Sequence, residues 1–403
     1  MRLLLFTGKG GVGKTTTAAA TAVHAARCGV RTLVASADTA HSLGDALGIR
    51  AGSAPVEIET GLFAQQVDAR ARGERSWRQV QEYLLAVLDE LGVDPLAAEE
   101  LTDFPGAAEV MGLLEIRDQV LHGDWDLVVL DCAPTAETLR LLTVPDVLRR
   151  YVQRLLPMER RIARMLAAGV RPGRTAGGLP RPGDHVVQAA ERLSTELAGV
   201  REVLTAPTTT VRLVTTAESV VLAETRRTWT TLALHGFPVD AVVVNRVFPA
   251  TADDAWRRGW AAAQQERLAE AAASFAPARL LIAGYADAEP VGLTALRRMG
   301  EALYGPVAPT SAASVLGSPR SIPGPRVERD GDAFVLALDL PLAAREDLEL
   351  GRRGDELLVS VAGQRRVISL PSALRRCRVD GAALRKGSLD VRFVPDPNLW
   401  RAL

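Results

Sequence analysis

Short apolar runs of strand length recur through the first 300 residues and alternate with segments of helical periodicity. Buried parallel strands are continuous apolar runs, and alternation of strands with helices is typical of a sheet covered by helices on both faces. The pattern therefore predicts an α/β fold with a parallel sheet. The predicted strands are residues 2–7, 31–36, 126–131, 211–215, 240–245 and 279–283.

Two intervals are too long to be simple crossovers between strands. Residues 74–122 and 146–206 repeat apolar positions with the period of a helix, and we predict that they form a helical subdomain inserted into the sheet framework. Within the second interval, residues 169–183 are rich in glycine and proline and predict a loop.

The last quarter of the chain has a different period. Residues 305–325 hold twelve Gly, Pro or Ser among 21 positions, which predicts a semi-flexible linker after a first domain of residues 1–304. Apolar residues then alternate with a period of two, so residues 326–395 predict a small antiparallel β-sandwich. The alternating sets are Phe334, Leu336, Leu338 and Leu340; Leu357, Val359 and Val361; and Leu389, Val391 and Phe393.

Composition narrows the class of protein. The 403 residues include 48 Lys+Arg and 48 Asp+Glu, and this balance disfavours a nucleic-acid partner. Apolar runs such as 127–130 are far shorter than a membrane span, and the start of the chain does not have the pattern of a signal peptide. Cys28, Cys132 and Cys377 are widely separated, so neither a disulfide framework nor a thiolate zinc site is indicated. We expect a reduced, cytoplasmic protein.

A glycine-rich loop between the first predicted strand and a helix fits the pattern G-x-x-x-x-G-K-[ST]. Backbone N–H groups in such a loop point at phosphate oxygens, and the following helix contributes its positive end. Lys14 is expected to reach the β- and γ-phosphates, and the Thr15 hydroxyl to bind Mg²⁺. The sequence therefore predicts a site for a nucleoside triphosphate. Its residues are Gly8, Lys9, Gly10, Gly11, Val12, Gly13, Lys14 and Thr15, with Thr16 following.

Lysine is scarce in this chain, since only Lys9, Lys14 and Lys386 occur among the 48 basic residues. Two of the three lie in the glycine-rich loop, where a compact ammonium group fits better than a planar guanidinium. One lysine serves the loop's own phosphates. The second, Lys9, could reach a nucleotide across a subunit interface, as an arginine finger does.

Two aspartates follow predicted strands at the edge where ligands bind in open α/β sheets. These are Asp38 and Asp131. Strand-end aspartates also serve as helix N-caps. Beside a phosphate loop the functional interpretation is favoured, in which one aspartate holds Mg²⁺ through water and another group positions the attacking water.

Lys9 together with Lys14 resembles the deviant Walker A motif of the MinD/ParA/ArsA group of dimeric ATPases. Within that group, residues 38–47 (DTAHSLGDAL) and 131–140 (DCAPTAETLR) resemble switch I and switch II of the ArsA ATPases and the tail-anchored-protein targeting ATPases. Residues 212–216 with Glu218, and residues 242–246, are similar to later family segments. The resemblance covers about residues 1–305.

The resemblance implies roles for individual residues. Asp38 would orient or activate the hydrolytic water, and Asp131 would hold Mg²⁺ through water. Asn245 would read the adenine, and the loop containing Pro290 and Val291 would cover the base. The family also implies a homodimer with two ATP molecules at its interface, each approached by Lys9 of the other subunit.

Residues 326–394 resemble the α-crystallin domain of small heat-shock proteins, on segments such as 354–361 (GDELLVSV) and 386–391 (KGSLDV). An ArsA-like ATPase fused to this domain resembles a bacterial and plastid-type subfamily. The chain departs from these families at several points. Thr39 stands where the eukaryotic targeting ATPases have proline. The chain also lacks the zinc-binding cysteine pair of the targeting ATPases, the tandem halves and arsenite cysteines of the pump subunit, and the I-x-I tail of small heat-shock proteins.

Three functions are compatible with this sequence. The first is an ATP-switched chaperone or targeting factor whose helical insertion binds hydrophobic transmembrane segments or lipids; Met111, Met158 and Met165 lie in the insertion, and thioether side chains suit adaptable apolar surfaces. The second is the energising ATPase of an arsenite or anion exporter. The third is a ParA- or MinD-like positioning ATPase. A membrane receptor or permease is a further candidate partner. We favour the first, by analogy with the family.

Overall fold

A computed structural model describes residues 1–37, 42–67, 107–132, 184–251, 254–276, 278–308 and 311–397. The predicted catalytic residue Asp38 lies outside these residues. So do most of the two predicted helical insertions, including the stretch 169–183. In the part of the chain that is described, no helix is long and apolar enough to cross a membrane.

The first domain is built on an eight-stranded sheet in the order β3-β4-β2-β5-β1-β6-β7-β8. All neighbouring strands run parallel except β3 and β4, which are antiparallel. The strands are β1 (Arg2–Thr7), β2 (Thr32–Ser36), β3 (Val56–Glu59), β4 (Leu62–Gln66), β5 (Leu127–Asp131), β6 (Thr209–Thr216), β7 (Val239–Val247) and β8 (Arg279–Gly284). The six predicted strands are confirmed. The hairpin β3–β4 was not predicted, because the β3 side chains are exposed or half-buried and form no apolar run.

Helices cover both faces of this sheet. They are α1 (Lys14–Arg27), α2 (Ser42–Leu47), α3 (Ala107–His122), α4 (Asp184–Thr205), α5 (Ser219–His235), α6 (Ala255–Ser274), α7 (Gly292–Tyr304) and α8 (Ala312–Leu316). Successive residues of β1 point into different cores: Leu3 and Leu5 pack with α3, α4 and α5, whereas Leu4 and Phe6 pack with α1, α2 and α7. The described ends of the two predicted insertions, α3 and α4, therefore belong to the helical layer of the sheet.

The C-terminal domain consists of two antiparallel sheets packed face to face, in the orders β14-β15-β10-β9 and β11-β12-β13. Its elements are β9 (Arg326–Asp330), β10 (Ala333–Asp339), β11 (Leu348–Arg353), β12 (Glu356–Val361), β13 (Gln364–Ser369), α9 (Ser372–Arg375), β14 (Cys377–Arg385) and β15 (Ser388–Pro395). Nine of the ten predicted inward residues are buried in one core, and Phe334 packs against it half-buried. The predicted all-β sandwich is confirmed.

The middle of the segment between the domains is packed on the first domain. It contains α8, whose Val315 is fully buried. The Val315 carbonyl accepts a hydrogen bond from Arg212 at 2.5 Å, and the Leu316 carbonyl accepts one from Arg2 at 3.0 Å. Residues 305–325 are predicted to be a semi-flexible linker, and within them Val315 and Leu316 are held by two buried arginines that use their carbonyl groups as acceptors.

The same two arginines share one carboxylate. Arg212 lies 3.1 Å and Arg2 3.9 Å from Asp240, and Arg212 also donates to the Tyr304 hydroxyl at 3.0 Å. Burial lowers the pKa of Arg212, but the charge of Asp240 and the contact with Tyr304 raise it further, so that the pKa lies above its ordinary value. The guanidinium is therefore charged inside the core and depends on these acceptors.

The β-sandwich is docked on helix α5 of the first domain. Leu234, near the end of α5, is part of the sandwich core. The Thr230 hydroxyl donates to the Pro341 carbonyl at 2.7 Å, and Arg366 donates to the Leu234 carbonyl. Among the described residues, the two domains thus meet through apolar packing and specific hydrogen bonds.

The buried ion pair makes a strong prediction about stability. Replacing Arg212 with alanine leaves Asp240 buried with weaker compensation, and we expect the free energy of unfolding to fall by about 3–5 kcal/mol. The matched control is Arg392→Ala, because Arg392 forms an exposed ion pair with Asp330, 48% and 59% exposed. That substitution should cost no more than about 1 kcal/mol. Urea unfolding followed by tryptophan fluorescence measures both; equal losses for the two variants would contradict the role given to Arg212.

Candidate nucleotide site

The glycine-rich loop joins β1 to α1 at the carboxyl edge of the sheet, and its neighbours leave no room for side chains at two positions. A Cβ atom on Gly8 would lie 2.1 Å from the Val214 carbonyl oxygen of β6. A Cβ atom on Gly13 would lie 2.4 Å from the Asn245 amide nitrogen of β7, and Gly13 has a φ of +91°. The adjacent strands therefore shape the loop, and only glycine fits at these two contacts.

Lys14 begins helix α1 and folds back over the loop. Its ammonium group donates to the Lys9 carbonyl at 3.4 Å, and its side chain is 7% exposed. Among the described residues, no acidic side chain forms an ion pair with it. An ammonium group held over a glycine-rich loop at the start of a helix is suited to bind phosphate oxygens.

The Thr15 hydroxyl and the Asp131 carboxylate meet, as predicted for a Mg²⁺ site. Thr15 Oγ1 donates to Asp131 Oδ2 at 2.8 Å, and Ser36 Oγ donates to the same oxygen at 3.2 Å. Thr15 Oγ1 also lies 3.3 Å from Ser42 Oγ. Hydroxyl and carboxylate oxygens are ligands that Mg²⁺ prefers. The residues present therefore fit a magnesium ion.

The composition of this site matches the way proteins hold Mg²⁺ beside a nucleotide. Among the described residues, no group of three or more His, Cys, Asp and Glu could hold a metal ion without help. Mg²⁺ is commonly bound through one or two protein oxygens, with phosphate and water oxygens completing the octahedron. At the Thr15–Asp131 pair, phosphate and water oxygens would have to complete the coordination of a Mg²⁺ ion.

Sequence reasoning missed two hydroxyls in this group, Ser36 and Ser42. Ser36 is the last residue of β2, which is adjacent to β5 in the sheet, and the two strands end side by side. Ser36 is a polar residue at the end of an apolar strand, and this signal in the sequence could have identified it once the strand order was known.

Lys9 forms an ion pair that was not predicted. Its ammonium group lies 3.6 Å from Glu224 of helix α5, and the two side chains are 41% and 33% exposed. Partly exposed pairs of this kind contribute little stability. Lys9 can therefore exchange this partner for another at low cost.

Asn245 has both ends of its amide engaged by the backbone. The amide nitrogen donates to the Val12 carbonyl at 2.9 Å, and the amide oxygen accepts from Arg246 N at 2.9 Å. The side chain is 6% exposed. The structure thus shows Asn245 holding the phosphate loop; its recognition of adenine stays a prediction.

The other predicted residues border the same edge. Pro290 and Val291 precede helix α7, where Val291 is half exposed and donates from its N–H to the Glu289 carbonyl at 2.9 Å. Ala37, the residue before Asp38, donates its N–H to the Asp131 carbonyl at 3.1 Å. Asp38 itself lies outside the described residues, so its role stays a prediction. Gly10, Gly11 and Thr16 complete the loop and the first turn of α1.

A strand, a phosphate loop and a helix at the carboxyl edge of a parallel sheet define a P-loop nucleotide-binding domain. Comparison with known proteins narrows this class. A family model described as "Anion-transporting ATPase" matches residues 1–305, and the chain belongs to this family, the ArsA ATPases. A second model, described as an HSP20-like domain found in ArsA, matches residues 331–393. The resemblance inferred from the motifs, including the small heat-shock-like domain, is confirmed.

Relatives share both domains over nearly their whole length. An uncharacterized protein of Streptomyces coelicolor is 42% identical over 402 residues, covering 99% of each chain. A Chlorobaculum tepidum protein named "Putative arsenical pump-driving ATPase" is 35% identical over 394 residues, covering 98% of this chain and 96% of the relative. A Mycobacterium tuberculosis protein is 37% identical over 430 residues, covering 99% of this chain and 97% of the relative. ATPases of this family are typically dimeric.

The loop geometry predicts different outcomes for two glycines of the same motif. Gly8→Ala forces a Cβ atom onto a strand carbonyl that cannot move, and we expect the nucleotide-free protein to lose about 1–3 kcal/mol of stability. Gly10→Ala should change stability by less than about 0.5 kcal/mol, because no atom lies within 4 Å of its Cβ position. Urea unfolding without nucleotide measures both variants. A stable Gly8→Ala variant would show that β6 does not shape the loop.

Proposed function

We propose that this protein is a homodimeric, Mg²⁺-dependent ATPase that acts as a chaperone or targeting factor for hydrophobic membrane-protein segments. The observation that carries the ATPase part is the contact of Thr15 with Asp131 beside a phosphate loop shaped by two neighbouring strands. Membership of a family of ATPases supports the same reaction. The client class rests on the family resemblance and on the appended HSP20-like domain.

In this proposal different residues of the site bind the phosphates, hold Mg²⁺ and orient the attacking water. Lys14 and the loop N–H groups bind the β- and γ-phosphates, and Gly13 leaves the space that this wrapping needs. Thr15 and Asp131 hold Mg²⁺, which when bound neutralises charge on the phosphate oxygens. Asp38 orients the attacking water from the end of the same group of strands.

Lys9 connects nucleotide binding to the second subunit. In the isolated chain its ammonium group is paired with Glu224, a contact weak enough to be exchanged. On dimerisation Lys9 would leave Glu224 and contact the nucleotide bound by the partner subunit. Negative charge develops on the phosphate oxygens in the transition state of hydrolysis, and this charge would strengthen the contact with the Lys9 ammonium group. Hydrolysis would remove that charge, and the dimer would loosen.

Helix α5 links this event to the chaperone-like domain. Glu224, the partner of Lys9, lies in its first half, and Thr230 and Leu234 bind the β-sandwich at its other end. A helix transmits a displacement along its axis without bending much over 17 residues. The position of the β-sandwich would therefore depend on whether Lys9 contacts Glu224 or the nucleotide of the partner subunit.

A second candidate is the energising ATPase of an arsenite or anion exporter, which the name of the Chlorobaculum tepidum relative favours. The cysteines argue against arsenite binding within one chain. Cys28 ends helix α1, Cys132 follows β5, and Cys377 lies in the β-sandwich core. Burial raises the pKa of all three thiols, whereas soft metalloid ligands are thiolates. The chaperone function is therefore preferred.

Turnover measurements test the ATPase. Lys14→Ala should abolish ATP binding, because it removes the cation for the phosphates. Asp38→Asn should keep binding and lose turnover by about 100-fold or more, the range expected when water activation is lost. The control is Lys386→Ala, which removes the one lysine far from the loop and should leave both unchanged. Calorimetric titration and phosphate release measure these effects, and full turnover in Asp38→Asn would remove that residue's role.

Binding of a defined peptide tests the client class. Asp38→Asn loaded with ATP and Mg²⁺ should bind a fluorescent 20-residue leucine–alanine segment at least about tenfold more tightly than the same segment with two central aspartates. Lys14→Ala should bind neither. Adding arsenite should leave wild-type turnover unchanged. Arsenite-stimulated turnover without peptide binding would transfer the assignment to the exporter.

A further inference from the structure

A groove of about 740 Å³ lies between the two domains, beside the contact of the β-sandwich with helix α5. We call it the interdomain groove. The first domain, the segment between the domains and two turns of the β-sandwich all contribute to its walls. Clefts of this volume at a boundary between domains are typical positions of small-molecule sites. The lining residues that matter here are Trp229, Val239, Ile322, Leu342 and Lys386.

Backbone hydrogen bonds hold the walls of the interdomain groove in place. Leu340 N donates to the Gly387 carbonyl at 2.7 Å, which joins the two β-sandwich turns. The first of these turns also accepts a hydrogen bond from Thr230 of α5 at 2.7 Å. On the opposite wall, Arg320 N donates to the Pro207 carbonyl of the first domain at 3.1 Å. The groove is therefore preformed, and a ligand would not have to order these segments on binding.

Leu342 occupies a backbone conformation that suits glycine better than leucine. Ala343 N donates to the Leu340 carbonyl at 3.3 Å and closes a β-turn, in which Leu342 is the third residue with a φ of +63°. Glycine or asparagine is favoured at this position, because a bulky side chain is costly in the left-handed region. The Leu342 side chain is 36% exposed and is not packed on the core of the β-sandwich. An apolar side chain held in this way indicates a contact with a ligand rather than with the fold.

Lys386 brings a positive charge to the same groove. It lies in the tight turn between β14 and β15 and is exposed to solvent. Among the described residues, no acidic side chain forms an ion pair with it. A lysine ammonium group is a compact charge on a flexible stem, so it can reach an anion bound nearby.

The other charges on the groove leave this positive charge uncompensated. Arg320 adds a second cation to the wall. Asp339 also lines the groove, but Arg326 donates to its two carboxylate oxygens at 2.9 and 3.3 Å. The groove therefore combines apolar walls with an excess of positive charge, and it is complementary to a ligand that has an apolar body and an anionic group.

From these observations we propose that the interdomain groove binds a carboxylate carried on an unbranched aliphatic chain, as in a medium-chain fatty acid. Lys386 would bind the carboxylate, and the chain would cover Leu342 and Ile322. This site is additional to the proposed ATPase and does not depend on it. A ligand held there contacts both domains, so it would stabilise the docking of the β-sandwich on α5.

Calorimetric titration of the full chain tests the charge requirement. Decanoate should bind at least about tenfold more tightly than 1-decanol, because a carboxylate can accept a charge-assisted hydrogen bond from Lys386. Acetate, which has the charge without the chain, should show no binding. Lys386→Gln should remove the preference for decanoate over 1-decanol, and Lys386→Arg should keep most of it. The matched control is Arg378→Gln, on an exposed residue of β14 outside the groove, which should bind as wild type does.

Leu342→Asn tests the apolar contact and separates it from a structural role. Asparagine adopts the left-handed conformation readily, so the midpoint of urea unfolding should not fall. The affinity for decanoate should fall about fivefold or more, because the chain loses an apolar surface. A lower midpoint of unfolding with unaltered affinity for decanoate would show that Leu342 serves the fold, and it would overturn the proposal.

The same measurements identify other occupants. Equal decanoate binding by wild type, Lys386→Gln and Leu342→Asn would place the ligand elsewhere and overturn the proposal. Loss of decanoate binding in Lys14→Ala would place it in the nucleotide site, with the same consequence. Flotation with phosphatidylglycerol vesicles, in the absence of binding to free decanoate, would assign the groove to a membrane surface and would also overturn the proposal. Failure of the ATPase or peptide experiments leaves these titrations unaffected, so the two sets of results are distinguishable.

Discussion

The structure depends on a charge imbalance buried in its first domain. Two guanidinium groups, Arg2 and Arg212, share the single carboxylate of Asp240. Their remaining N–H groups require carbonyl oxygens, and Val315 and Leu316 supply them. Unpaired buried charge is costly, so the segment after α7 must stay packed on the sheet. The segment around Val315 and Leu316 has the composition of a flexible linker but is packed on the first domain. This packing fixes the point from which the chain continues into the β-sandwich.

The nucleotide site follows from a second constraint, the common carboxyl edge of parallel strands. β1 carries the phosphate loop, β2 and β5 end in Ser36 and Asp131, and β7 supplies Asn245. These strands all end at the same edge of the sheet, so the polar groups at their ends lie close together although they are far apart in the chain.

Helix α5 gives the two domains a shared element. Its first half approaches the loop through Glu224, and its last turns are part of the sandwich core through Leu234. The HSP20-like domain is thus packed on the helix that contacts Lys9. The proposed exchange of the Lys9–Glu224 ion pair would therefore take place on the helix that carries the β-sandwich.

The sequence by itself determined the class of the protein, the phosphate loop, the principal strands and the β-sandwich, because glycine spacing and hydrophobic period are local properties of the chain. It missed the β3–β4 hairpin, whose half-exposed side chains form no apolar run, and it could not describe the partners of Lys9 and Asn245. Those contacts, the binding of the Val315 carbonyl by Arg212 and the stacking of Phe248 on Tyr285 were decided only by tertiary structure. The physical reason is that strand order and helix packing bring distant residues together, and a local pattern carries no information about which distant charge or ring will lie opposite.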